Sequence, residues 1–155
     1  MDLRIDDVIT PDLMILDLEA TQRDDAIDQM TRRLEKDGRI TDRAAYVQAV
    51  LEREREGGGT GMEMGVAIPH AKSAAVERAS LVFARSARGV DFGGDADEPS
   101  TLLFLIAAPE GSEDLHVRLL AKLARRLIHD SFRERLHDAG TPDDVMRILQ
   151  EEVSL

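Results

Sequence analysis

Apolar residues along the chain fall into two patterns, stripes at helical spacing and short unbroken runs. Ala26, Ile27, Met30 and Leu34 share one helical face and predict a helix from Thr21 onward. Thr21 is placed to cap it, Asp24 to complete a capping box, and Gly38 to end it. Tyr46, Ala49 and Val50 mark a second helix over about 42–54, with Thr41 as its cap; the same stripe, extended by one turn, reaches Arg53. Gly57-Gly58-Gly59 ends that helix and predicts a mobile loop. Leu119, Leu120, Leu123 and Leu127 form the stripe of a longer helix after Pro109-Glu110-Gly111-Ser112, and projecting it backward passes through His116. Two shorter helices, 131–138 and 142–151, close the chain; Thr141 caps the last, with Pro142 in its first turn.

The unbroken runs read as strands: 14–18, 66–68, 81–84 and 101–108. The last, TLLFLIAA, is apolar at nearly every position, as in a strand buried on both faces. Gly89 to Pro99 reads as turns, with room for a short strand. Strands alternating with helices predict an α/β fold, a mixed β-sheet with helices on both faces, in a single domain over 1–155.

Composition narrows the function classes. The 155 residues carry 31 acidic side chains against 20 basic ones, a net charge of −11, and only three of the basic residues are lysine (Lys36, Lys72, Lys122). So acidic a surface repels nucleic acid and anionic membrane, which argues against either as a partner. Any bound anion must be held by a few placed cations or backbone amides. An Asp-rich, Lys-poor surface also suits a high-salt cytoplasm. Cysteine is absent, which removes disulfides, thiolate metal sites and a cysteine nucleophile. The segment Met1 to Asp7 has no apolar leader core and no apolar run reaches membrane length, so a soluble, cytoplasmic protein is expected.

Four histidines are candidates for chemistry. His129 and His137 read as solvated surface residues. His70 follows Pro69 at the end of an apolar run, where α/β sheets gather their sites, and a Gly-rich turn precedes it. An imidazole there can serve as nucleophile, acid–base group or ligand, or simply bond locally in a loop. His116 falls near a helix N-terminus: it is either a satisfied core-edge histidine or part of a site where the terminus favours a bound anion. Arg53 on an inner stripe is either a snorkelling side chain or an anion clamp. No phosphate-binding P-loop or dinucleotide fingerprint is present.

The segment LEREREGGGTGMEMGVAIPH, Leu51 to His70, resembles the active-site signature of the enzyme IIA domains of the phosphoenolpyruvate-dependent sugar phosphotransferase system. The resemblance is to the fructose–mannitol type, which includes the nitrogen-regulatory IIA proteins. Arg53-Glu54, Thr60-Gly61 and Ala67-Ile68-Pro69-His70 carry it, and Leu115-His116-Val117 with the following Leu-rich helix resembles the family's second histidine. The likeness runs from about Leu13 to Leu149. It departs from the family pattern at Met62, Glu63 and Met64 in the middle of the turn.

The resemblance implies that His70 is the catalytic residue. It would be phosphorylated by the carrier HPr and would pass the phosphoryl group to an enzyme IIB, and through it serve the membrane component IIC. Arg53 and His116 would stabilise the phosphate, with Thr60 and Gly61 in the loop beside the site. No metal, cofactor or membrane insertion is implied, and a shallow site on a flat face is expected because the partner must reach it. A sugar system, fructose foremost, is the leading function. A nitrogen-regulatory protein using the same phosphohistidine as a switch is the alternative. A small metal-binding module built on His70 and His116 is a third possibility from a different class.

Overall fold

The computed structural model describes residues 4–155; Met1, Asp2 and Leu3, part of the segment read for a leader, lie outside the described residues. The strand TLLFLIAA is the centre of the fold. It widens to β6 (Ser100–Pro109), in which Leu102 to Ala107 have no solvent exposure. Apolar on both faces, it can only be satisfied by cover on both sides.

On one side β6 pairs antiparallel with β5 (Ser80–Val90), and β5 pairs parallel with β1 (Met14–Ile15). On its other side β6 pairs parallel with β3 (Val66–Ala67) and then with β4 (His70–Ser73), and β3 pairs antiparallel with β2 (Gly61–Met62). The sheet is therefore mixed, as the sequence predicts. Val66 faces Leu102 and His70 faces Ile106, so one register holds across Ile68 and Pro69. The Pro69 carbonyl even accepts the Ile106 N–H at 3.0 Å. Proline interrupts the ladder here without shifting it, and His70 enters the sheet in a fixed position.

Among the described residues six α-helices accompany the sheet: α1 (Ile5–Val8), α2 (Arg23–Lys36), α3 (Arg43–Gly57), α4 (Glu113–Leu127), α5 (Asp130–Asp138) and α6 (Pro142–Glu152). Helices α2 and α3 pack on each other and against β5 and β4, while α4 and α5 pack against β6. The Tyr46 hydroxyl, fully buried, donates to the Ile106 carbonyl at 3.0 Å and ties α3 to the strand beside His70. None of the helices among the described residues is long and apolar enough to cross a membrane.

Several local expectations are corrected. Strand 14–18 shortens to two residues, though the Leu18 N–H still reaches the Arg85 carbonyl. The run 81–84 is the apolar half of a strand of eleven residues; its polar half continues past a register break between Arg85 and Val90. Gln22, not Thr21, is the N-cap of α2, and its side chain makes no capping hydrogen bond among the described residues. Asp42 caps α3 by accepting the Ala45 N–H, while the Thr41 hydroxyl donates to the Ala75 carbonyl. Thr141 does cap α6, accepting from the Asp144 N–H. The single turn α1 is too short to leave a periodic signal.

The glycine run is the larger correction. Gly57 completes α3, and the rest is clasped rather than mobile. The Gly94 N–H donates to the Gly58 carbonyl at 2.8 Å and the Asp95 N–H to the Gly61 carbonyl at 2.9 Å. Two backbones cross so closely that a Cβ on Gly59 would stand 2.0 Å from the Phe92 carbonyl oxygen. Gly59 also adopts φ +109, a conformation that L side chains rarely take.

Candidate functional site

A cleft of about 340 Å³ opens at the bare edge of β4, between α3 and α4. His70 and Lys72 come from β4, Arg53 and Glu56 from α3, and His116 and Val117 from α4. Three residues 17 and 46 positions apart in sequence, Arg53, His70 and His116, thus line one concavity. Thr60 and Gly61 lie in the clasped loop that follows α3, outside the cleft lining. The site is a cleft rather than the flat face expected, because α3 and α4 both rise beside the edge strand.

His70 is half-buried. Its Nδ1 lies 2.7 Å from the Ile68 carbonyl oxygen. A carbonyl can only accept, so Nδ1 carries the proton. Burial holds the imidazole below its ordinary pKa; the Ile68 bond opposes this and the Arg53 charge adds to it. The ring is therefore neutral at pH 7, and its lone pair is on Nε2. His116, 8% exposed, sits in the first turn of α4 with its N–H on the Ser112 carbonyl. The two rings meet edge to face, with centroids 5.2 Å apart and planes at 82°.

Arg53 needs a correction: it is exposed, not on the inner stripe of α3. The buried stripe runs Tyr46, Val50, Glu54. Arg53 is one position aside, which turns its guanidinium to the cleft. Glu54, 1% exposed, accepts from the Thr60 hydroxyl at 2.9 Å. Sequence reading passed over Glu54 as half of a motif; the signal was a carboxylate eight residues along a buried stripe from Tyr46. It also missed Lys72 and the 63% exposed Val117 on the cleft wall, which no pattern distinguishes. The surface expectation for His129 and His137 holds, since both are exposed. Among the described residues no group of three or more His, Cys, Asp or Glu side chains is arranged to hold a metal ion.

In the loop before the site, Met64 adopts φ +76. A non-glycine side chain in the left-handed region is strained.

The family model for the phosphoenolpyruvate-dependent sugar phosphotransferase system, EIIA 2, matches residues 7–152. The chain belongs to that family. It is 38% identical over 154 residues to the fructose-specific EIIA component of Haloferax volcanii, covering 99% of both chains. It is 35% identical over 149 residues to the fructose-specific EIIABC component of Bacillus subtilis; there it covers 96% of this chain but spans only 23% of that longer protein. Among solved structures, the nitrogen regulatory protein IIA-Ntr of Neisseria meningitidis superposes with a TM-score of 0.84 at 30% identity, covering 94% of this chain and 98% of that one. The mannitol IIA enzyme of Escherichia coli, solved in complex with phosphorylated IIB, superposes with a TM-score of 0.78 at 26% identity, covering 92% and 97%. The chain is thus an EIIA-type component of the sugar phosphotransferase system, with its sheet and helices arranged as in the IIA structures.

Proposed function

We propose that this protein is the phosphocarrier IIA component of a fructose-type sugar system in the cytoplasm. It takes a phosphoryl group from HPr onto His70 and gives it to an enzyme IIB, which in turn serves a membrane IIC. The observation that carries the reading is the bond from His70 Nδ1–H to the Ile68 carbonyl, which leaves Nε2 as a neutral nucleophile in a cleft shared with Arg53 and His116.

In the transfer, the Nε2 lone pair attacks the phosphorus of the donor phosphohistidine. The P–N bond to the donor breaks as the new P–N bond forms, and the electron pair returns to the donor imidazole. The proton on His70 Nδ1 stays in place, and the Ile68 carbonyl dipole stabilises the positive charge the ring gains. Arg53 donates to the equatorial oxygens, and His116 donates one further hydrogen bond. Thr60 and Gly61 hold the loop. The atoms and charges balance between two imidazoles, so the step calls for no cofactor. The IIB partner is supported by the complex of the mannitol relative and by the fused EIIABC relative.

A second reading, a nitrogen-regulatory protein that uses the phosphohistidine as a charge switch, is favoured by the Neisseria neighbour. It uses the same site and differs in the acceptor. The deciding test supplies phosphoenolpyruvate, enzyme I and HPr, then a purified fructose-type IIB. Transfer onward to IIB is the expected result. Phosphorylation with no transfer to IIB would favour the regulatory reading.

A further inference from the structure

Glu54 is a costly residue for its place. An apolar side chain would continue the Tyr46–Val50 stripe, yet a carboxylate is buried there, with Oε2 meeting no hydrogen-bond partner among the described residues. A buried unsatisfied oxygen is destabilising and calls for a reason other than packing. Burial pushes the carboxyl up, while the Thr60 hydroxyl and backbone and the Arg23 charge pull it down.

The reason lies in a chain of contacts. Glu54 Oε1 accepts the Thr60 hydroxyl at 2.9 Å. The Thr60 carbonyl accepts the Ile68 N–H at 3.4 Å. The Ile68 carbonyl accepts His70 Nδ1–H at 2.7 Å. Each link fixes the orientation of the next, and the last fixes which ring nitrogen keeps the proton. We propose that Glu54 is a positioning residue for the phosphorylated histidine: its carboxylate anchors Thr60, the Thr60 carbonyl holds Ile68 by its N–H, and the Ile68 carbonyl, on the next peptide unit, locks His70 with Nε2 as the nucleophile. This inference rests on the function proposed above. It gives the triad logic of nucleophile, orienting acceptor and buried acid a route through backbone groups. The acid never touches the reacting atoms. Because Glu54 directly follows Arg53, one helical turn also sets the guanidinium in the cleft and the anchor beneath it.

Two variants test this. Glu54→Gln keeps the shape and an acceptor for Thr60 but removes the charge that strengthens the bond. Thr60→Val keeps the shape and removes the donor. Phosphoryl uptake from phosphorylated HPr should slow about tenfold in each, the lower end of what loss of an orienting partner costs. The double variant should be no slower than either single one, since both break the same chain. The independent readout is nitrogen-15 NMR of the His70 ring in the unphosphorylated protein. The Nδ1–H tautomer should dominate in the wild type, and the Nε2–H tautomer should gain in both variants. If both variants keep the wild-type tautomer balance, the proposal is overturned, whatever happens to the uptake rate or the melting temperature. A wild type that takes up no phosphoryl group would overturn the proposed function, and the ring signals would still decide the role of Glu54.

Discussion

Replacing Gly59 by alanine should open the clasp that holds the loop beneath the site. The new Cβ would stand 2.0 Å from the Phe92 carbonyl oxygen and 2.7 Å from the Gly94 nitrogen, where ordinary contact begins at 3.4 Å. Both obstacles are backbone, so no side chain can swing aside. The crossing strands must part, and parting strains the bonds Gly94 N–H to Gly58 carbonyl and Asp95 N–H to Gly61 carbonyl. Losing both costs about 2 kcal/mol at a net 1 kcal/mol each. Holding a non-glycine residue in the left-handed region adds about 1–2 kcal/mol. The sum, about 3–4 kcal/mol, is a large share of the 5–15 kcal/mol stability typical of a domain. At roughly 2–4 °C per kcal/mol for a chain of this size, the melting temperature should fall by about 10 °C. The control is Gly57→Ala. That position is helical, without a positive φ, and a Cβ there meets nothing within 4 Å. Alanine should raise stability there by roughly 0.5–1 kcal/mol. Urea and thermal melts of the two variants against wild type give the comparison. Equal stability of the two variants would refute the clasp.

Other outcomes follow from the site and its surroundings. Arg53→Ala should lower phosphoryl transfer about 100-fold, the scale set by loss of one donor to developing charge; it should leave the melting temperature within a degree or two, because the side chain is exposed. Because His70 is held below its ordinary pKa by burial, phosphoryl uptake should stay on its plateau as pH falls through 6.5 and decline only in more acid solution. A half-maximal point at or above 6.5 would count against the neutral nucleophile. Met64→Asn should stabilise the protein by about 1 kcal/mol in urea melts, since asparagine tolerates the left-handed region that Met64 occupies. With a net charge of −11, the chain should melt higher in concentrated KCl than in dilute buffer, as salt screens the self-repulsion.

Much of this architecture was legible from residue patterns because the strongest signals were physical necessities. A strand such as TLLFLIAA has no exposed face to offer, so it had to be central. The Leu stripe of α4, carried backward, placed His116 on the inner side beside the site. The features that escaped were those that depend on tertiary contact. The polar half of β5 is a strand because β6 pairs with it on both sides of the register break, not because its residues prefer it. Gly57-Gly58-Gly59 has the composition of a mobile loop, and only the crossing with Phe92 to Asp95 makes it rigid. The apolar spacing of α3 leads to Arg53 while burial runs to Glu54, a difference of one position on a helix of 100° steps. That one position separates a guanidinium that faces the cleft from a carboxylate that anchors Thr60.

The phosphocarrier role is tested by phosphorylating the protein with phosphoenolpyruvate, enzyme I and HPr and locating the phosphoryl group by phosphorus and nitrogen NMR. A single phosphoryl group on Nε2 of His70, absent in His70→Ala, is the expected result. A phosphoryl group on Nδ1 or on His116, or labelling of His70→Ala equal to wild type, would contradict it.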